Sequence, residues 1–442
     1  MKPIDDLDLE RGMNQLAVRI SAIVVSLAIG VIVALVAVAF FKIIAVANSY
    51  WAVTPLPADF NAIDVHYSVP VGVALGVSAL IAGQILKRLD QGRPHGPADL
   101  IHSAQHDKPV DLRAGRLSSL LALINLSGGA SVGIFGPLVH LGGCISAWLQ
   151  RKSRLLPFDV VLGSGAAAAI AAVFSAPIGA ALFAHEAIIR RFGTFGSGPV
   201  LACSVASYWV SEQMLGNHRF FRVSDVPALD AHHLMIALVV GVGSALVSML
   251  YIHAVVEMPK LARASGIPIP WRPLLPAGLL FLLSPVLPHL LGAGLESISM
   301  AMAGQLSLAL LIALLLGKIA LTSFCVGFGY FGGVFGPALF FGAMLGAIVD
   351  LTMSGSSGVA SSFVLLGAAS CVATVIGAPI AATVIVFEMT GSYEWAVLSL
   401  VSVVVAAQIS RSFMGRSVFD RQLASRGIMV RDDHAPDHRP SP

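Results

Sequence analysis

Gly133-Ile134-Phe135-Gly136-Pro137 and Gly333-Val334-Phe335-Gly336-Pro337 are two copies of one uncharged pattern, 200 residues apart. Gly128-Gly129 precede the first copy, and Gly327, Gly329, Gly332 and Gly333 lead into the second. Glycine lets a backbone turn tightly. Proline suits the first turn of a helix, where its missing N–H costs nothing. Each copy therefore predicts a broken helix followed by a new helix that starts at the motif. A helix start offers backbone N–H groups without intrahelical acceptors and about half a unit of positive charge. These hold an anion without a fixed cation. A lysine or arginine there would bind the anion too tightly for rapid passage, so an uncharged pattern suits a site that anions enter and leave.

A second matched pair accompanies the first. Ala176-Pro177-Ile178 precedes Glu186, and Ala378-Pro379-Ile380 precedes Glu388, nine residues from proline to glutamate in each. Two matched pairs at nearly one offset predict duplicated halves over roughly 70–215 and 271–415. Internal repeats of this kind are a transporter signature, often in inverted topology. The two glutamates are expected to tie helix ends together rather than to move protons. Lys318 lies within an apolar run, where a lysine usually faces water or an acid. Two readings stand for it, a place at the pore or a structural pair with an acid such as Glu186 or Glu388.

Other chemistry finds less support. If 98–107 is helical, Asp99, His102 and His106 share a face that a metal could use, but no cysteine or closed tetrahedral set accompanies them. A solvated helix start with His95 near the pore is expected instead, and no metal or other cofactor is called for. His185-Glu186 lacks the second histidine of a zinc-protease helix. No nucleophile–base pair points to an enzyme. Gly292 and Gly294 predict a helix break near the outer surface.

The elements that must position these residues are apolar helices. The 442-residue chain is 56% hydrophobic and 12% charged, with a mean hydropathy of +0.84. A soluble protein carries about twice that charge. Apolar runs recur at 17–41, 68–86, 156–189, 233–257, 273–294, 305–327 and 360–409. Each reaches the roughly 20 residues that cross a bilayer as a helix. The fold class is an all-α polytopic membrane protein, a single transmembrane domain over 1–442 with no soluble regulatory domain. The first run follows an acidic head (Asp5, Asp6, Asp8, Glu10) and lacks a cleavage site, so it is no signal peptide. From Leu16 to Val46 a helix measures roughly 45 Å, which predicts strong tilt. The tail from Gly427 to Pro442 reads as disordered.

Charge distribution predicts orientation. The 48–69 connection has no lysine or arginine, whereas 87–116 carries Lys87, Arg88, Arg93, Lys108, Arg113 and Arg116. Lys260, Arg263 and Arg272 form another basic turn, and the tail adds Arg411, Arg416, Arg421, Arg426 and Arg431. By the positive-inside rule both termini are cytoplasmic. A net charge of +3 gives no reason to expect nucleic acid as a partner. Cys144, Cys203, Cys325 and Cys371 are scattered through apolar segments and read as small core residues.

Across nearly the whole chain the sequence resembles the CLC chloride channel and chloride/proton antiporter family. The likeness is carried by "GGASVGIFGPLVHLGG", by Gly332-Gly333-Val334-Phe335-Gly336-Pro337, and by "APIAATVIVFEMTGSY". It implies a homodimer with one anion pathway per subunit, built from two inverted-topology repeats of broken, tilted helices in the cell (inner or plasma) membrane. It implies a central anion on the amides of Val334 and Phe335, and an outer site on those of Phe135 and Gly136, beside Ile134. An early family signature is loosely matched by "RPHGPADL", where Pro94, His95 and Gly96 stand in place of a serine. Phe419 stands where the family has a tyrosine. Both hydroxyl donors are thus missing, leaving more of the coordination to backbone amides.

The larger departure is at the gate. Most relatives have a glutamate where this chain has Phe135, and Ala187 occupies the place of an inner proton-relay glutamate. Glu186 lies one residue earlier, a slip that turns a helix by about 100°. Proton transfer needs a titratable group in hydrogen-bond reach, and neither phenylalanine nor alanine supplies one. The resemblance and its departures imply passive, proton-uncoupled conduction of chloride or a similar monovalent anion. The Phe135 ring is expected to seek apolar neighbours and leave the outer end open. Two alternatives stay open: a proton-coupled chloride or fluoride antiporter using another acid, and a non-conducting membrane protein plugged by Phe135.

Overall fold

The structure, a computed structural model, describes residues 6–52, 68–151, 155–191, 194–216, 229–353 and 363–428. The tail beyond 428, and most of the 48–69 connection, lie outside the described residues. In chain order the helices are α1 (Asp6–Asn48), α2 (Ser68–Leu86), α3 (Pro97–His106), α4 (Leu112–Ser127), α5 (Phe135–Gln150) and α6 (Phe158–Phe174). Next come α7 (Pro177–Phe183), α8 (Thr194–Leu215), α9 (Ala231–Ala264), α10 (Leu274–Leu283), α11 (Leu295–Met302) and α12 (Leu308–Gly327). The chain ends with α13 (Phe335–Met353), α14 (Phe363–Ile376), α15 (Pro379–Thr390), α16 (Tyr393–Met414) and α17 (Val418–Ala424). Among the described residues there is no strand, and one isolated β-bridge joins Gly133 to Gly333.

Two apolar runs are subdivided by left-handed residues, and a third ends at the glycine break that the sequence predicts. Run 156–189 breaks at Ser175, in the left-handed region at φ 50°, between α6 and α7. Run 360–409 breaks at Gly377 and Gly391, at φ 79° and 67°. Run 273–294 stops at Leu283 and turns through Gly292 and Gly294, at φ 59° and 76°. Composition marks such segments as apolar, but single left-handed residues cut them into pieces. Six described helices remain long and apolar enough to cross a membrane.

The repeat is built into the packing. Gly142 of α5 lies against Gly165 of α6, and Gly342 of α13 lies against Gly367 of α14 in the same way. A Cβ on any of these four would collide with the facing backbone carbonyl, so each pair lets two helices cross in close contact. α1 packs along α8, and α9 packs along α16.

Two glutamates link the halves reciprocally. The Glu186 carboxylate accepts from the amides of Ile380 (3.3 Å) and Ala381 (2.9 Å), at the start of α15. The Glu388 carboxylate accepts from Ile178 (3.0 Å) and Gly179 (2.6 Å), at the start of α7. Each half thus caps a helix of the other, satisfying amides that lack intrahelical acceptors and opposing the positive end of the dipole. The expectation that these acids tie helix ends together agrees with this geometry. Lys318 needs correction: it pairs with neither glutamate, since both are committed to caps. Its buried ammonium donates to the carbonyls of Gly292 (2.7 Å) and Leu290 (3.4 Å) and lies 4.9 Å from the Phe340 ring centroid.

Glu186→Ala should therefore lower the thermal midpoint in detergent, at a cost of about 2–3 kcal/mol from the lost charged hydrogen bonds. Glu186→Gln, which keeps one acceptor oxygen, should cost less. Equal midpoints for the wild type and both variants would contradict the capping role.

Candidate anion-binding site

The two glycine-flanked turns meet. The Gly133 amide donates to the Gly333 carbonyl at 2.8 Å, and the Gly333 amide donates to the Gly133 carbonyl at 2.6 Å. No side chain fits between them. A Cβ on Gly133 would lie 2.7 Å from the Gly333 oxygen, and one on Gly333 would lie 2.6 Å from the Gly136 nitrogen. Gly129 and Gly329 make the preceding turns at φ 92° each, a conformation that L side chains rarely adopt.

From this crossing α5 and α13 depart. Leu138 N–H donates to the Ile134 carbonyl and Ala338 N–H to the Val334 carbonyl, the first bonds into each helix. Pro137 and Pro337 sit just before them, where no intrahelical donor is needed. The first turns, where amides have no intrahelical acceptor, therefore converge from both halves.

Polar side chains brace the turns, two from α9 and α4, one from just beyond α1 and one from the second turn itself. Tyr251 is fully buried on α9, and its hydroxyl donates to the Val334 carbonyl at 3.3 Å. Asn125 Nδ2 donates to the Phe331 carbonyl at 2.9 Å, Trp51 Nε1 to the Ser127 carbonyl at 2.7 Å, and the Tyr330 hydroxyl to the Leu75 carbonyl at 2.7 Å. None of the four is singled out by sequence reasoning. Their only signal there is a lone polar-tipped residue in an apolar stretch, which resembles ordinary core packing.

A cavity of about 640 Å³ reaches the crossing. Gly96, Gly136, Gly333, Val334, Phe335 and Phe419 line it, as do Arg93, Lys260, Arg263, Arg272 and Arg426. Asp99 is the one acid on this lining among the described residues. Lys260 pairs with Glu257 at 2.6 Å, and Arg263 and Arg272 keep the lining net positive, which raises the local concentration of anions.

Asp99 is already neutralised. It pairs with Arg93 at 2.7 Å and Arg426 at 2.9 Å, and accepts from the Gly96 amide at 3.0 Å. Burial works to raise this carboxyl, but the Arg426 and Arg93 guanidiniums and the Gly96 amide outweigh it and hold it below the usual carboxylate range. The start of α3 and the chain after α17 are thereby pinned beside the cavity.

The structure brings five of the sequence-predicted residues, Gly96, Gly136, Val334, Phe335 and Phe419, onto this one cavity. Ile134 is buried at the crossing. The Phe135 ring is 1% exposed and packs on Phe174 and Phe335, with centroids 4.9 and 5.0 Å away. The His95 ring meets Arg93 (3.1 Å) and the edge of His140, while its amide donates to Ser118 Oγ. Burial, only partly opposed by Asp99, pushes His95 below its ordinary value. The His102 and His106 rings lie 4.5 Å apart, tilted at 44° to each other. Ala187 lies in a π-helical turn, Ala184–Ile189, where its carbonyl accepts from Arg190 Nε at 3.3 Å. That turn swings the neighbouring Glu186 onto α15.

Comparison with known proteins identifies the family and the fold. The family model described as "Voltage gated chloride channel" matches residues 75–411. The chain is 27% identical over 360 residues to the "Voltage-gated ClC-type chloride channel ClcB" of Salmonella typhimurium, covering 79% of this chain and 86% of that one. Its likeness to the protein of the same name in Citrobacter koseri is 25% over 358 residues, with the same coverage. Among solved structures it resembles a slow cyanobacterial Cl−/H+ antiporter, with a TM-score of 0.78, 18% identity, and 92% of this chain and 99% of that one covered. It also resembles a CLC-type fluoride/proton antiporter, with a TM-score of 0.75, 21% identity, and 95% and 99% covered. These structural likenesses establish the fold.

Gly333→Ala should destroy the site, because its Cβ would force the two turns apart at about 1–3 kcal/mol or more. Gly278, where an added Cβ would meet nothing within 4 Å, is the control. Anion flux should vanish in Gly333→Ala and persist in Gly278→Ala; equal flux in both would contradict the crossing.

Proposed function

Because this chain belongs to the voltage-gated chloride channel family, we propose that it conducts chloride or a similar monovalent anion passively, without moving protons. Membership makes it a multi-pass membrane protein of an anion-transport family. The observation that carries the finer reading is the apolar packing of Phe135. Where a gating carboxylate would compete with the anion for amides, a phenyl ring lies against Phe174 and Phe335. It has no charge for those amides and no proton to carry.

The inner relay place supports the same reading. Ala187 has nothing to titrate, and the adjacent Glu186 carboxylate is held by two amides of α15. In the proposed cycle, the basic mouth (Lys260, Arg263, Arg272 and Arg426) draws the anion in. The amides at Val334 and Phe335 then replace part of its hydration shell, with Gly136 and Phe135 next along the path. A site of dipoles rather than a lysine lets the ion leave as readily as it enters. The homodimer, one pathway per subunit, and cytoplasmic termini in the cell membrane belong to the same proposal. The cluster of cations on one mouth accords with that orientation.

A second reading has its own support. Phe135 is 1% exposed and touches Phe335 directly, so the ring would equally seal the path. Phe135→Ala separates the two: modestly altered flux fits conduction, whereas a silent protein turned into a fast conductor fits a plug.

Reconstituted with a chloride gradient and recorded for pH, the protein should pass chloride and drive no proton uphill; uphill proton movement would refute the uncoupled reading. Phe135→Glu should introduce a block that acid relieves. The carboxylate is charged above its own pKa and then competes for the amides, and protonation at lower pH removes that competition.

A further inference from the structure

On the flank of α4 and α5, away from the anion cavity, lies an open groove of about 480 Å³. Leu112, Leu141, Cys144, Ile145 and Trp148 line it, together with Arg116 and Arg151. α5 approaches α4 closely here because Gly115 has no side chain; a Cβ on it would lie 2.6 Å from the Cys144 sulfur. Trp148 is 56% exposed.

The two arginines are available. Among the described residues neither forms an ion pair. Arg116 Nε makes a single 3.3 Å bond to the Leu112 carbonyl of its own helix, leaving most of the guanidinium for another acceptor. The neighbouring acid, Asp111, spends its carboxylate on the amides of Arg113 and Ala114, at 2.9 and 3.0 Å. Arg151 stands exposed where α5 ends. Both belong to the end of the molecule that carries the basic cavity mouth, since Ser118, just beyond Arg116, accepts from the His95 amide at 2.8 Å.

We propose that this groove holds an anionic phospholipid of the surrounding bilayer. Its phosphate would bind the Arg116 and Arg151 guanidiniums, and an acyl chain would run along Leu141, Ile145 and Trp148. The charge and the shape point to one occupant. Two cations beside a transmembrane groove recognise anionic headgroups, and guanidinium matches phosphate with paired donors. An exposed tryptophan is at home where headgroups meet acyl chains. A free phosphate would leave the apolar lining unused. A zwitterionic lipid would bring its own cation against the arginines.

The test uses the full chain in bilayers and reads Trp148 alone, as the fluorescence of wild type minus that of Trp148→Phe. Brominated phosphatidylglycerol and brominated phosphatidylcholine are compared at equal mole fraction in a phosphatidylcholine membrane. The two arginines together should make the apparent affinity for phosphatidylglycerol about 30-fold higher. Arg116→Gln combined with Arg151→Gln should bring that ratio close to one, with anion flux retained as a sign of correct folding. Equal quenching by the two lipids in wild type would overturn the proposal, as would an undiminished preference in the double variant. Quenching by neither would mean that another protein surface, such as a second copy, covers the groove, and would overturn it as well.

Discussion

Two hydrogen bonds between Gly133 and Gly333 hold the starts of two helices face to face. Everything else at the site depends on that contact. Helix N-termini carry like partial charges, so bringing two together away from water is unfavourable. Glycines make the approach feasible by removing every side chain from the crossing, and buried donors such as Tyr251 and Asn125 hold the turns in place. The electrostatic cost that remains is of the kind an anion relieves. Under the proposed function, an uncharged sequence thereby makes an anion site whose affinity comes from geometry.

The same chain contains a second pair of helix starts. α7 and α15 begin with Ala-Pro-Ile, and their amides are already taken by Glu388 and Glu186. α5 and α13 begin with phenylalanine, and Ile134, the N-cap of α5, makes no side-chain cap bond. The protein's own carboxylates silence one pair of dipoles, and in the proposed function the other pair serves the mobile ion. On this view a glutamate at position 135 would be an internal anion competing for the second pair, and phenylalanine removes the competitor. The Phe135 ring joins Phe174 and Phe335 in an apolar cluster instead.

Much of this is legible in the residues. The twin Gly-x-Phe-Gly-Pro motifs lie at the helix starts they predict, and the glutamates nine residues beyond the prolines do tie helix ends. Harder to read is anything set by a single left-handed residue. Ser175 and Gly377 split runs that hydropathy presents as continuous. The partners of Lys318 escape the sequence because a sequence displays acids, while the carbonyls freed by the Gly292 turn become visible only once the backbone is folded. α1 and α9 hold matching places against α8 and α16, yet they carry no motif, so a repeat found by its motifs does not reach them. His95 likewise has a polar ring near the site in sequence, but in space that ring turns to Arg93 and His140.

Anomalous scattering from crystals grown in bromide tests the central claim most directly. Bromide should lie at the end of the cavity, within hydrogen-bond reach of the amides at Val334 and Phe335 or those at Phe135 and Gly136. No lysine or arginine side chain should contact the ion there. Bromide found only against Lys260, Arg263, Arg272 or Arg426 at the mouth, with none at either glycine-flanked turn, would contradict it.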